Sequence, residues 1–158
     1  MQLIAGAGAV LLQREIPEAV NIQAAQLAAA AGVPVLLDAG GVDAPLSDAL
    51  LQLLTTISPN ETELQRLTGQ QADSEAQALL AAGGLQQKAA QLAAQQQGRA
   101  DHDEQQQQQQ AGQGQAGGLR VLVKRGSAGS MMVGAGGQQE AMQPAIPAAK
   151  VVDTTGVP

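Results

Sequence analysis

Not one of the 158 residues is phenylalanine, tyrosine or tryptophan, and this absence limits what the chain can build more than any other feature. A domain of ordinary composition holds roughly a dozen aromatics, which anchor its core and stack on bases and sugars. Here Leu, Ile, Val and Met must form the whole core. The hydrophobic share is 44%, but it leans on alanine, and about forty residues in the middle add almost nothing apolar beyond it. The expected product is a marginal or incomplete fold, of a length that suits one domain or part of a larger one.

The charge balance narrows the function. A net charge of −6 and a pI near 4.5, with no basic stripe, argue against nucleic acid as a partner. No apolar run approaches the ~20 residues of a membrane span. With no cysteine there is no disulfide framework, thiolate nucleophile or zinc-thiolate site. Met1-Gln2-Leu3-Ile4 lacks the basic flank and long apolar core of a secretory signal. A soluble protein of the cytoplasm is the expectation.

Strand and helix patterns alternate along the first seventy residues or so. Ala9 to Gln13 reads as a buried strand. Pro17 and Glu18 open a helix in the usual way, with proline in the first turn and an acid at the positive dipole end. It runs to about Ala31 and stops at Gly32. Val33 to Leu37 is a second strand, ending at Asp38. Ser47 caps a helix to about Leu54, and Thr55 to Ser58 is a third strand. This spacing means βαβ crossovers and a parallel sheet, in which ligands bind beyond the carboxyl ends of the strands. Gln13, Glu15, Asp38 and Asn60 all fall at or just past such ends, which makes them candidates for a site.

Farther on, Pro59-Asn60-Glu61-Thr62-Glu63 opens a helix that ends near Thr68-Gly69. Ser74 to Ala82 is helical, Gly83-Gly84 is expected to break it, and Leu85 to Gln97 resumes it. Residues 98–118 are Gln- and Gly-rich, with an unbroken glutamine run from Gln105 to Gln110, and are expected to be a disordered insertion. His102, the single histidine, sits there in Asp101-His102-Asp103-Glu104, a solvated charge cluster rather than a metal site. Leu119 to Lys124 restores a strand, Gly126-Ser127-Ala128-Gly129 turns it, Ser130 to Val133 continues it, and Gly134 to Gly137 closes a hairpin. Met131, Met132 and Met142 read as core filler. The last residues, Val151-Val152-Asp153-Thr154-Thr155-Gly156, look like the approach to a loop whose N–H groups face an anion.

Four islands in this order resemble one family. Leu11-Leu12-Gln13-Arg14-Glu15-Ile16-Pro17, Ser58-Pro59-Asn60-Glu61-Thr62-Glu63, Val121 through Gly129, and Val151 through Gly156 are together similar to the C-terminal half of a ribokinase-type member of the PfkB carbohydrate kinases. The resemblance implies an α/β fold: a three-layer, Rossmann-like, mostly parallel sheet with flanking helices. It would be incomplete here, with partial kinase core in 1–97, the insertion in 98–118 and a continuation in 119–158. It also implies transfer of the ATP γ-phosphoryl to a sugar hydroxyl, with D-ribose giving ribose 5-phosphate. In such chemistry positioning and charge neutralisation carry most of the catalysis.

By the same resemblance, Glu15 hydrogen-bonds the sugar, while Asn60 and Glu63 form an Asn-x-x-Glu motif that helps hold nucleotide and organise Mg²⁺ and phosphate. Lys124, Arg125, Gly126, Ser127, Ala128 and Gly129 form the strand and turn that hold ATP, with Gly126 and Gly129 permitting close backbone approach. Asp153 and Thr155 match a loop that binds a monovalent cation such as K⁺, and Gly156 belongs to the anion hole. A homodimer is implied for the full-length protein.

Departures from the family pattern shape the expectation as strongly. The family continues from Asp-Thr-Thr-Gly to Ala-Gly-Asp, whose acid is the base that deprotonates the sugar. Here Val157 and Pro158 follow Gly156, so no catalytic residue is assigned, and the chain by itself is expected not to turn over. Asp38 stands where relatives often have Asn, and its charge would repel phosphate unless a cation sits beside it. Plainer readings stand alongside these: Glu15 as a helix cap, Asn60 and Glu63 as a capping box, Gly126 to Gly129 as a simple turn. A fructokinase-like or adenosine-kinase-like member, or a non-catalytic interaction protein on the same scaffold, are the alternative functions.

Overall fold

The computed structural model describes residues 2–103 and 118–147. Most of the Gln-rich segment, and Asp153, Thr155 and Gly156 with the rest of the terminal motif, lie outside the described residues. The elements in chain order are α1 (Gln2–Ala5), β1 (Val10–Leu12), α2 (Glu18–Ala30), β2 (Val35–Asp38), α3 (Asp48–Leu51), β3 (Thr56–Ser58), α4 (Glu61–Thr68), α5 (Glu75–Asp103), β4 (Arg120–Lys124), β5 (Ser130–Val133) and β6 (Gln139–Gln143), with a 3-10 turn at Gly126–Ala128 between β4 and β5.

All six strands form one sheet in sequential order. β1 through β4 run parallel, and β5 and β6 complete the sheet as antiparallel partners. Sequential parallel strands joined by right-handed crossovers place every connecting helix on the same face. The burial pattern agrees. Leu12, Leu37, Ile57, Val121 and Val133 lie in register across five strands. With Ala25, Ala28, Leu50, Leu51, Leu64, Ala81 and Leu85 from the helices they share a single core. The alternate residues Leu11, Leu36, Leu122 and Met132 take no part in that core. The described residues therefore build two layers of the expected three, a sheet and one layer of helices.

Local signals account for most of the boundaries. Glu18 stands in the first turn of α2, and Gly32 follows its end at φ 68°. Ser47 caps α3, its hydroxyl accepting from the Leu50 amide at 3.2 Å. Thr55 Oγ accepts from the Val35 amide at 2.8 Å, tying the start of β3 to β2.

Two expectations are corrected. Gly83-Gly84 does not break the helix: α5 runs unbroken from Glu75 to Asp103, past the point where the Gln-rich insertion was expected to begin. Two interior glycines cost about 2 kcal/mol of helix propensity, but Ala78, Ala81, Ala82, Leu85 and Ala89 on either side of them are buried in the core, and tertiary packing outweighs that cost. The buried Gln86 adds a polar tie, its Nε2 donating to the carbonyls of Leu119, Val133 and Gly134 at 3.0, 3.1 and 2.6 Å. The second correction is an addition. The hairpin closed by Gly134 to Gly137 pairs β5 with β6, a strand whose residues are all exposed and whose sequence has no apolar alternation to announce it.

Candidate functional site

Parallel pairing brings the carboxyl ends of β2, β3 and β4 side by side. The β4 tip closes on the start of α4, with the Lys124 amide donating to the Pro59 carbonyl at 2.8 Å and Asn60 and Lys124 forming a parallel bridge. Gly40, just past β2, donates its amide to Asp38 Oδ1 at 2.9 Å. Asp38, Asn60, Glu63 and Lys124, widely spaced in sequence, thus meet at one edge of the sheet.

Asn60 and Glu63 form a reciprocal capping box. The Glu63 amide donates to Asn60 Oδ1 at 2.8 Å, the Asn60 amide donates to Glu63 Oε2 at 2.8 Å, and Asn60 Nδ2 reaches Glu63 Oε1 at 3.0 Å. Both carboxylate oxygens of Glu63 are engaged, and the residue is buried. At its other end α4 stops at Gly69, which takes the left-handed conformation at φ 71°. The capping reading and the cleft reading of Asn60 and Glu63 are therefore compatible: the box fixes α4 with its N-terminus at the strand tips.

Lys124 supplies the charge. Its Nζ lies 3.0 Å from both oxygens of Asp38 and 3.9 Å from Glu63 Oε2. Burial by itself would raise the Asp38 carboxyl, but the Gly40 amide and the Lys124 ammonium outweigh it and hold that group below its ordinary value. The cation that an acid at position 38 requires beside a phosphate is thus part of the protein.

The β1 end joins the same edge through a loop. Arg14, buried, donates Nη2 to the carbonyls of Ala44 and Pro45 at 2.7 and 3.2 Å, pinning the segment after β2 across the segment after β1. Gly41, at φ 105°, passes so close that a Cβ would lie 3.1 Å from the Arg14 carbonyl carbon and 3.2 Å from Glu15 Cγ. Asn21 Nδ2 donates to the Gln13 carbonyl at 2.8 Å. Sequence reasoning missed Arg14, because a charged residue next to a strand end reads as a surface group. Glu15 is exposed and lines a cavity of about 470 Å³ together with Ile16, Pro17, Asn21, Val42 and Leu50. Asp38, Glu63 and Lys124 do not line that cavity: Asp38 and Lys124 are part-exposed at the strand tips, and Glu63 is buried beside them.

The remaining candidates divide. Arg125 does not join Lys124: its Nη1 meets Glu75 Oε2 at 3.2 Å at the start of α5. Ser127 and Ala128 are exposed on the 3-10 turn, where Gly126 has open space around it. Gly129, at φ 88°, lies against the chain's own Gln143, Pro144 and Ala145, so the close approach it permits here is internal.

For a divalent metal the fit is poor. Asp38 and Glu63, the carboxylates within 4 Å of Lys124, are both already engaged by Lys124 or by the capping box. Among the described residues no group of three potential ligands could hold a metal ion. No helix among them is long and apolar enough to cross a membrane.

Comparison with known proteins agrees with the fold. The model of the pfkB family carbohydrate kinases matches residues 1–103. A ribokinase of Arabidopsis thaliana is 40% identical over 156 residues, covering 99% of this chain and 34% of its own length. A ribokinase of Haemophilus influenzae is 42% identical over 79 residues, which is 50% of this chain and 26% of that protein. The structure of the Arabidopsis ribokinase complexed with ribose and ATP superposes with a TM-score of 0.70 over 98% of this chain and 40% of that one. Ribokinase from Giardia lamblia, 18% identical with a TM-score of 0.68, shares the fold. This chain spans about a third or less of the length of the curated relatives it matches. By family model, sequence and fold, it belongs to the pfkB family of carbohydrate kinases.

Proposed function

We propose that this chain forms the nucleotide-facing part of a ribokinase-type enzyme, which transfers the γ-phosphoryl of ATP to a hydroxyl of ribose. The observation that carries the reading is the meeting of Asp38, Asn60, Glu63 and Lys124 beyond the carboxyl ends of adjacent parallel strands. Open α/β sheets bind ligands there. The 40% identity to the Arabidopsis ribokinase supports ribose and ATP as the substrates.

In this reading Lys124 is the electrostatic centre. An ammonium held between two carboxylates keeps its charge and position before a phosphate arrives, so little reorganisation is needed as charge develops on the transferring group. Asp38 positions Lys124, and the α4 N-terminus adds the free amides of a helix start. Glu15 follows β1, at the other end of the row of strand tips and in a separate cavity, on the side assigned to the sugar by the family resemblance. Because the carboxylates are occupied, no step is assigned to Mg²⁺. The K⁺ loop at Asp153 and Thr155 and a homodimer of the full-length protein belong to the proposal through the family resemblance.

The test is a titration of the purified chain with ATP and ADP by calorimetry. Saturable nucleotide binding is expected, weakened about tenfold or more by Lys124→Met, since one charge-assisted contact to phosphate is worth roughly 1.5–3 kcal/mol. Equal binding by wild type and variant, or none by either, would refute the reading.

A further inference from the structure

Arg14 is charged, buried and without a counter-charge. It is 7% exposed, and among the described residues no carboxylate lies within 4 Å of it. Its Nη2 serves the Ala44 and Pro45 carbonyls, while Nη1 and Nε have no acceptor among the described residues. A buried guanidinium is ordinarily paired, because desolvating an unpaired charge is costly. Arg14 instead forms part of the wall of the cavity of about 470 Å³ between the segments that follow β1 and β2.

Other polar groups of that cavity are equally unspent. Asn21, on α2, is 1% exposed; its Nδ2 donates to the Gln13 carbonyl, next to Arg14 in the chain, and its Oδ1 is buried with no donor among the described residues. A buried acceptor left empty is unfavourable and rare. Glu15 is exposed, with no hydrogen-bond or ion-pair partner among the described residues. Pro17, at the N-cap of α2, supplies no side-chain cap, so the first amides of that helix are open as well. Around these groups stand Ile16 and Val42, large apolar residues left 45% and 48% exposed, and the buried Leu50 of α3. Each simple class of ligand leaves some of this unmatched. An anion would pair with Arg14 and the α2 amides but meet Glu15 and Glu18. A cation would suit Glu15 and Asn21 and leave the guanidinium uncompensated. A sugar, neutral and polar throughout, would leave Arg14 unpaired and Ile16 and Val42 wet. An anion and an N–H cation on neighbouring atoms, with an apolar body, match all of it.

We propose that this cavity is a binding site for a free α-amino acid with a branched apolar side chain. The carboxylate pairs with Arg14 and the open amides of α2, the ammonium donates to Asn21 Oδ1 and Glu15, and the side chain covers Ile16, Val42 and Leu50. The volume is that of a small-molecule pocket, about 300–1,000 Å³. Of these residues Glu15 alone carries a sugar contact by the family resemblance. Neither Lys124 nor phosphoryl transfer enters the site.

The experiment is a calorimetric titration of the 158-residue chain with L-leucine, with isocaproate (no ammonium), with isoamylamine (no carboxylate) and with ribose. L-Leucine should bind saturably. Each single-charge analogue should bind about tenfold or more weakly, since it forfeits a charge-assisted contact. Arg14→Met should abolish binding, but it also releases the segment after β2. Glu15→Gln, at an exposed position, is therefore the deciding variant: it should weaken L-leucine about tenfold and leave the urea midpoint unchanged. Lys124→Met should leave L-leucine binding intact, so this site and the nucleotide reading can fail separately. Absence of L-leucine binding, equal binding of either analogue, or undiminished binding by Glu15→Gln would each overturn the proposal. Ribose that binds more tightly than L-leucine and displaces it would also overturn it, and would return the cavity to the sugar.

Discussion

Helices α4 and α5 pack against each other, but they are held by different means. α4 is eight residues long and marks both of its ends in the sequence, with Asn60 and Glu63 closing a capping box and Gly69 terminating it in the left-handed conformation. α5 is 29 residues long, and its sequence argues for a break at Gly83-Gly84 that does not occur. The first helix is written locally. The second is imposed by what it packs on: Ala78, Ala81, Ala82 and Leu85 reach the sheet, and Gln86 serves three backbone carbonyls at the β4–β5 end. Secondary structure near the site therefore depends on short-range hydrogen bonds in one helix and on long-range burial in its neighbour.

Truncating the long helix's anchor is the strongest way to break this contrast. Leu85 is 3% exposed. Leu85→Ala should cost about 2–4 kcal/mol in urea unfolding, the range for buried leucines whose surroundings relax only in part. No aromatic side chain is available to move into the gap. A loss below about 1 kcal/mol would mean that burial does not hold α5 across its glycines.

The short helix should respond less. Asn60→Ala removes the acceptor for the Glu63 amide and the Nδ2 donor to its carboxylate. About 1 kcal/mol is expected, a typical loss for an N-cap. Because Glu63 also lies near Lys124, the same variant should weaken nucleotide binding. Stability and affinity falling together would tie the cap to the cleft; loss of stability alone would confine Asn60 to its structural role.

The same contrast decides what the sequence could disclose. Most element boundaries before Gly69 follow from capping residues, glycines and apolar runs, all signals spanning a few positions. The strand tips carrying Asp38, Asn60 and Lys124 were legible for the same reason, and the parallel sheet placed them together. The unbroken α5, the inward turn of Arg14 and the pairing of Arg125 with Glu75 were not legible. Each depends on a partner 30 or more residues away, and no local pattern encodes it. β6 was invisible because an exposed edge strand needs no apolar alternation.

A gain of stability would sharpen the comparison from the other side. If α5 persists in spite of its glycines, removing one should help. A Cβ at Gly83 would meet nothing within 4 Å, whereas one at Gly84 would come 3.2 Å from Gln70 Nε2. Gly83→Ala should raise stability by about 0.5–1 kcal/mol, the propensity difference in a helix interior. Gly84→Ala should gain less, because the Gln70 side chain must give way. Equal gains would mean that Gln70 yields without cost; a loss at Gly83 would mean that the helix is strained there.

The smallest effect lies at the site itself, where Asp38 and Lys124, 86 residues apart, join in a contact that neither helix makes locally. The Asp38 carboxyl is held below its ordinary value in the fold, so its contribution is fully present above the unfolded value near 4, and it is lost as pH falls through the folded one. Asp38→Asn keeps an acceptor for the Gly40 amide and removes only the charge. Wild type should therefore be slightly more stable than this variant at pH 7, with the urea midpoints converging as pH falls through the folded value. The difference should shrink in salt, since the Asp38 and Lys124 side chains are 48% and 40% exposed and water already screens their attraction. A gap that stays constant with pH would assign the pair no electrostatic role in folding. One that widens toward acid would show that the carboxyl is raised rather than lowered, and Lys124 would then lose the partner that holds it at the crevice.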